Sequence, residues 1–275
     1  MKRVIYYISA ILVGVITMVA PTNLRAADAT TTAAACWEEG LKAYESRNYA
    51  DAVTAFERIV TLGEASAEVY YNLANAYFKL GQHNSTTSRN FALGELGKAV
   101  LNYHRALKLN PAMADARYNL ELAVDHTNDT ESIPQSFIAT IWQGLRSLMT
   151  SNGWAATSVV MLAATLILVM MYLLSANILL RKVGFFVAIV LIVGFVITTA
   201  LAISSRKAVE MDNRAVIICN DTTPVHASPD SASKIVRQPS QGVTVRTSRS
   251  HGDWREIIFA DGEIGWIRNS AIEII

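Results

Sequence analysis

The sequence predicts a multidomain membrane protein in three parts: an all-α helical repeat, a two-helix transmembrane hairpin and a small all-β barrel. Three observations carry this. Two uncharged apolar runs, Trp154 to Leu180 and Val183 to Ile203, are separated only by Arg181 and Lys182, and each has the roughly 20 apolar residues that cross a bilayer as a helix. Before them, apolar and small residues recur at helical spacing; after Lys207 they alternate in short runs rich in Val, Ile and Thr, with turn residues between, which is the pattern of strands. A turn as short as Arg181-Lys182 holds no domain. Function therefore falls to the flanking segments, which the hairpin returns to one side of the membrane.

At 52% hydrophobic and 17% charged the chain is unusually apolar, but the excess is confined to the N-terminus and the two runs. Two modest soluble pieces remain, each long enough for a small core. Their charge balance is slightly acidic, by four between Ala33 and Ile133 and by one between Lys207 and Ile275, so neither carries the basic footprint that nucleic acid requires. Met1 to Ala29 has the layout of an export signal: Lys2 and Arg3, an apolar stretch from Val4 to Ala20, then Pro21 and the small residues Ala26, Ala27 and Ala29. Residues 1–29 are expected to be a signal peptide cleaved after Ala27 or Ala29, or an uncleaved anchor of the same orientation. The first soluble piece is then exported and the hairpin turns at the basic pair on the cytoplasmic face. Arg206 and Lys207 flank the far end with the same charge, so the export signal carries most of this orientation. Cys36 and Cys219 fall one in each exported piece, and read either as a bridge in an oxidising compartment or as two small buried residues.

Within the first piece, Tyr71-Asn72-Leu73 recurs as Tyr118-Asn119-Leu120, 47 residues later. Treating the polar stretch Gln82 to Gly94 as a 13-residue insertion leaves a period of 34, and stepping back by 34 from Ala74 and Phe78 lands on Gly40 and Tyr44. Small residues where helices touch, aromatic wedges and Pro111 at an exit resemble the tetratricopeptide repeat (TPR) over residues 33–127. Helices are expected at Ala35 to Ser46, Tyr49 to Leu62, Ala67 to Leu80, Glu95 to Leu109 and Ala112 to Asp125, the last one capping the stack with Asp115, Glu121 and Asp125 outward. Trp37 is displaced by one position from the family pattern, and Glu64 stands where Pro ends a unit. The resemblance implies a protein-binding groove made by the first helix of each unit, which here carries Tyr71, Asn72, Asn75, Lys79, Tyr118 and Asn119. Asn at such positions either holds a peptide backbone or is a common repeat residue on a solvated face.

His126 to Pro134 reads as a polar hinge. In residues 135–150, Phe137, Ile138, Ile141, Trp142, Leu145, Leu148 and Met149 share one helical face. This predicts an amphipathic helix lying on the membrane surface, or else packed on the repeats. Ser151 and Asn152 are placed to cap the first span, and Trp154 to sit at interface depth. Only Ser, Thr, Gly and Asn177 interrupt the spans, so transport of ions or protons is not expected.

Expected strands in the last piece are Ala215 to Cys219, Pro224 to Ala227, Lys234 to Arg237, Val243 to Ser248, Trp254 to Phe259 and Glu263 to Ile267, enough for a barrel of five or six. The order Val225-His226-Ala227-Ser228-Pro229, Gly242-Val243-Thr244-Val245, Gly252-Asp253-Trp254 and Asp261-Gly262-Glu263-Ile264-Gly265-Trp266-Ile267 resembles the bacterial SH3 domain over 207–275. Asp261-Gly262 is expected to make a hairpin turn, and Gly265 to relieve crowding beside Trp266. Trp254 and Trp266 are read first as core or rim residues, and alternatively as a ligand surface with His226 and His251 near it. By resemblance, such domains often bind cell-wall peptides.

The five histidines, at 83, 104, 126, 226 and 251, have no ligand-like spacing, and no phosphate loop or nucleophile elbow occurs. No enzyme, metal or cofactor is expected. The order of export signal, TPR units, tight hairpin and SH3 domain resembles the BatE proteins of the Bacteroides aerotolerance group. That resemblance implies the inner membrane of a Gram-negative bacterium, with both domains periplasmic. It also implies neighbours among other Bat proteins, including von Willebrand A-domain and TPR members, a MoxR-type ATPase in the cytoplasm, and a link to oxidative stress. The expected function is a non-catalytic scaffold, the alternative being a peptidoglycan anchor working through the barrel.

Overall fold

The computed structural model describes residues 27–83, 95–127, 137–219 and 223–275. Five helices form the N-terminal stack: α1 (Ala27–Glu45), α2 (Tyr49–Thr61), α3 (Ala67–His83), α4 (Glu95–Leu109) and α5 (Ala114–Asp125). Their buried faces follow helical spacing, as in α2, where Ala52, Val53, Phe56 and Ile59 point inward. Phe56 packs over Gly40 and meets the Trp37 ring edge-on at 5.7 Å. The α1 helix begins at Ala27 rather than Ala35, because the alanine-rich run ahead of Cys36 has high helix propensity. The expected cleavage after Ala27 or Ala29 falls in its first turn, while residues 1–26 lie outside the described residues. Similarly, α3 runs through Gln82 to His83 and so takes in the start of the expected insertion, whose remainder, 84–94, is not described. Asp115, Glu121 and Asp125 are exposed on α5.

Three helices follow: α6 (Phe137–Arg146), α7 (Ser151–Leu174) and α8 (Ile178–Glu210). The last two are long and apolar enough to cross a membrane, and of their most apolar stretches only 11% and 17% is buried inside the protein. The reversal between them falls at Ser175-Ala176-Asn177, not at Arg181-Lys182. Asn177 decides this: its Oδ1 accepts from Leu179 N at 2.9 Å, an N-cap that starts α8 ahead of the basic pair. At the other end, Thr150 rather than Ser151 or Asn152 caps α7, accepting from Gly153 N at 3.1 Å. Small and hydroxyl residues fill the α7–α8 contact. Gly184, Ala188, Thr198 and Ser205 are buried on α8, as are Ser158 and Thr165 on α7, which lets the backbones approach closely. Trp142 of α6 donates to Ser204 Oγ of α8 at 3.1 Å, so α6 rests on the end of the apolar pair with Phe137 and Ile138 fully outward. Of the expected hinge, His126 is packed edge-on against Phe78 and Thr127 is buried, while 128–136 lie outside the described residues.

The C-terminal domain is an antiparallel sheet of seven strands among the described residues: β1 (Arg214–Ile217), β2 (Val225–His226), β3 (Ile235–Arg237), β4 (Thr244–His251), β5 (Trp254–Ile258), β6 (Ile264–Arg268) and β7 (Ile272–Ile274), in the order β3-β2-β6-β5-β4-β1-β7. The expected set lacked β7, a three-residue strand after a 3₁₀ turn that is held by pairing Ala215 with Ile274 and Ile217 with Ile272. Inward residues Ile217, Val225, Val245, Ile257 and Ile267 make its core. Gly262, at φ 89°, turns the β5–β6 hairpin as expected. Gly265 has a further reason to be glycine: a Cβ there would strike the Val225 side chain of β2.

The repeat stack and the sheet are docked on each other. In β1, Ala215 and Ile217 face the sheet core while Val216 joins the core of the helices, and all three are fully buried. A strand covered on both faces is a continuous apolar run, here Ala215-Val216-Ile217-Ile218. On α4, Gly97 lies directly against β1, where an added Cβ would come within 2.7 Å of Ile217 O. Further along the same helix, Arg105 reaches Glu273 at 2.8 Å and Ile274 O at 3.0 Å, and Lys108 reaches Ile275 O at 2.7 Å. His104 Nε2 lies 3.3 Å from Thr244 Oγ1. Nothing in the sequence pattern announced this seam, because its contacts join α4 to residues at the far end of the sequence.

Two outcomes are expected. Gly97→Val pushes α4 off β1, destabilising the chain by about 1–3 kcal/mol and raising hydrogen exchange of β1 and β7 above that of α2. Burial pushes the His104 pKa down from 6.5 to about 3, with Arg214 adding to the shift and Asp212 opposing it. Below 6.5 the unfolded chain binds a proton that the folded seam does not, so the contribution is whole above that pH and is lost as pH falls toward 3. Thermal melts of the full chain in detergent at about pH 7.5 and about pH 5 check this: the acid-side loss is smaller in His104→Gln.

Candidate functional site

The helical face carrying the six expected groove residues is built by α3 and α5, with α4 behind them. The structure divides the six. Asn75 Oδ1 accepts from Tyr103 Oη at 2.6 Å and from Asn119 Nδ2 at 2.9 Å, and Asn119 Nδ2 also approaches Tyr71 Oη at 3.3 Å. Tyr71, Asn75 and Asn119 thus tie α3, α4 and α5 together. Burial pushes the Tyr103 hydroxyl well above its ordinary pKa, with Tyr71 and Tyr44 adding to the shift, so it stays a donor. The other three residues are turned outward. Asn72 donates to Glu68 O of its own helix at 2.9 Å, Lys79 reaches Gln82 Oε1 at 3.3 Å, and Tyr118 is 68% exposed. Tyr103 is the member that sequence reasoning missed. It read as an aromatic wedge, and only the stacking brings its hydroxyl to Asn75.

On the sheet, strand pairing gathers the aromatic residues. Trp254 pairs with Arg268, Glu256 with Trp266, and Trp266 with His226 across β5, β6 and β2. Ile257 and Ile267, on the alternate positions, fill the core, so by the two-residue period Trp254, Trp266 and Arg268 share the outer face. The ring of buried His226 meets Trp254 edge-on at 5.2 Å, and the Arg268 guanidinium lies over Trp254 at 5.1 Å. His251 is the cross-strand partner of Trp254 on β4. Glu256 is clamped by Arg249 through two hydrogen bonds of 3.0 and 2.6 Å, which hold its carboxyl below the usual carboxylate range. The two tryptophans are rim residues of one half-buried face, with the neighbours that the sequence placed near them.

With both faces defined, comparison with known families divides the chain in the same way. Residues 38–84 match the tetratricopeptide repeat and residues 220–273 the bacterial SH3 domain. The first match covers the C-terminal part of α1 and all of α2 and α3; α4 and α5 extend the stack. No curated protein and no solved structure is significantly similar to the chain. The protein therefore has an N-terminal helical TPR region, two long apolar helices and a C-terminal SH3-like domain. Both matched families are non-catalytic, and both suggest protein binding or an adaptor role.

Among the described residues no three of His, Cys, Asp and Glu come together as a metal site. Cys36 is buried in the TPR core and Cys219 packs on the SH3 core, and both are free thiols. The divided TPR face leads to a specific expectation. Asn75→Ala strands the buried Tyr103 hydroxyl and costs about 1–3 kcal/mol, whereas Asn72→Ala leaves stability within about 0.5 kcal/mol, as read by chemical denaturation of the full chain.

Proposed function

We propose that the protein is a non-catalytic membrane scaffold that docks partner proteins through its TPR and SH3-like domains. The observation that carries this reading is the seam. It uses α4, β1 and β7, whereas the candidate docking faces are on α3 and α5 and on β2, β5 and β6, so two interaction modules are held in fixed relation with both faces turned elsewhere. A partner touching both meets a preorganised surface, which lowers the entropic cost of binding. On this reading α7 and α8 span the inner membrane, α6 lies on the periplasmic leaflet, and both domains are periplasmic. Asn72, Lys79 and Tyr118 are then the TPR residues that meet a partner, with Tyr71, Asn75 and Asn119 holding them in place. The order of modules supports partners of the Bat type, with von Willebrand A or TPR domains, and a role in surviving oxidative stress.

A second reading is favoured by one observation, the shared outer face of Trp254, Trp266 and Arg268, which suits a peptidoglycan fragment. One pair of experiments separates the two. Photo-crosslinking from position 118 of the full chain in native membranes should recover von Willebrand A-domain or TPR proteins, with lower yield in Asn72→Ala. Recovery of no protein, together with saturable sedimentation of the detergent-solubilised chain with purified peptidoglycan that Trp254→Ala abolishes, would transfer the function to cell-wall anchoring.

A further inference from the structure

Where the TPR stack meets the ends of the apolar pair, a cleft of about 660 Å³ opens. Its walls come from the α4–α5 corner on one side and, on the other, from the end of α6, the start of α7 and the last turns of α8. Five cations line it, Lys108, Arg117, Arg146, Arg206 and Arg214, against two acids, Glu210 and Asp212, leaving a surplus of three positive charges. Arg206 pairs with Glu210 at 2.7 Å and Arg214 with Asp212 at 2.8 Å. Among the described residues the Arg117 side chain donates only to the neutral Pro111 O, at 2.5 Å, and the Arg146 side chain makes no ion pair or hydrogen bond. Ser205 also lines the cleft, and its buried Oγ has no hydrogen-bond partner among the described residues.

The level of the cleft is as informative as its charge. The uncharged run of α7 starts at Trp154 and that of α8 stops at Ile203, and the cleft takes Thr150, Ser151 and Asn152 from the first and Ser205 and Arg206 from the second. These are the polar residues immediately beyond the apolar surface on both helices, the depth at which phosphates of a bilayer lie. The N-terminus of the 24-residue α7 opens at the same level and adds its partial positive charge.

We propose that this cleft holds the phosphate of an anionic phospholipid headgroup, with the acyl chains running down the exposed apolar sides of α7 and α8. The inference goes beyond protein docking and rests on that reading only in taking α7 and α8 as spans. Arg117 and Arg146 supply the unspent positive charge, and the depth selects a lipid over a soluble phosphate.

The test is native mass spectrometry of the full chain released from nanodiscs of phosphatidylcholine containing phosphatidylglycerol. Wild type should retain phosphatidylglycerol in preference to phosphatidylcholine. The double variant Arg117→Gln/Arg146→Gln should bind it roughly 25-fold more weakly, about fivefold per cation removed. Arg181→Gln, at the opposite end of the apolar pair, should bind as wild type does. Circular dichroism of the double variant checks that it folds. Equal retention of the two lipids, or an unchanged double variant, overturns the proposal, as does displacement of phosphatidylglycerol by inorganic phosphate. Carbonate extraction of native membranes keeps the two readings apart: a chain that resists extraction yet shows no lipid preference loses the cleft alone, and a chain that is extracted loses the spans and the cleft together.

Discussion

One close approach, the backbone of α4 against the carbonyl of Ile217, is the constraint on which the arrangement of the head depends. Only a residue without a side chain permits it at position 97. Because the helix lies so near, Val216 and Ile275 bury in the core of the TPR stack, each a gain of about 1.5–3 kcal/mol relative to exposure. Arg105 and Lys108 then find their partners on β7 and Ile275 along the same face of the helix. A bulkier residue at 97 would push α4 away from β1 and loosen the docking of the two domains. With glycine there, the core of the repeats and the core of the sheet meet on the two faces of β1.

The TPR face illustrates how one residue type serves two tasks at successive positions. Asn72 and Asn75 are three residues apart on α3, yet Asn75 is drawn between Tyr103 and Asn119 while Asn72 stays outside. A side-chain amide buried among helices must find partners, and the tyrosine hydroxyl and the neighbouring amide provide them. The polar character that marks a peptide groove in the sequence is therefore partly consumed in building the groove. The SH3 face follows the same logic, with the buried ring of His226 meeting Trp254 edge-on.

Much of this was legible in the sequence because it is periodic. The 34-residue recurrence located α2 to α5 within a few residues, and the alternation around Trp254 and Trp266 located β5 and β6. What escaped is set by contacts that periodicity does not carry. The reversal between the apolar helices was read at Arg181-Lys182 by charge, but the backbone follows hydrogen bonding, and Asn177 caps a helix where those two cations cannot. Strand β7 is too short to alternate and exists because β1 offers it an edge. The division of the groove residues needed the position of Tyr103, which lies on another helix. The basic cleft draws on segments from His104 to Arg214, and its cations come from stretches far apart along the chain.

The length of α8 has a mechanical side. At 33 residues it measures about 50 Å, and only Met211, Asp212 and Asn213 separate its last turn from β1, a span of at most about 10 Å. Its apolar run ends at Ile203, so two further turns rise from the apolar pair as a stiff post. Through β1 and the seam on α4, that post carries the whole head. A sideways load anywhere on the head reaches the apolar helices as a torque about α8, where a slack tether would have dissipated it.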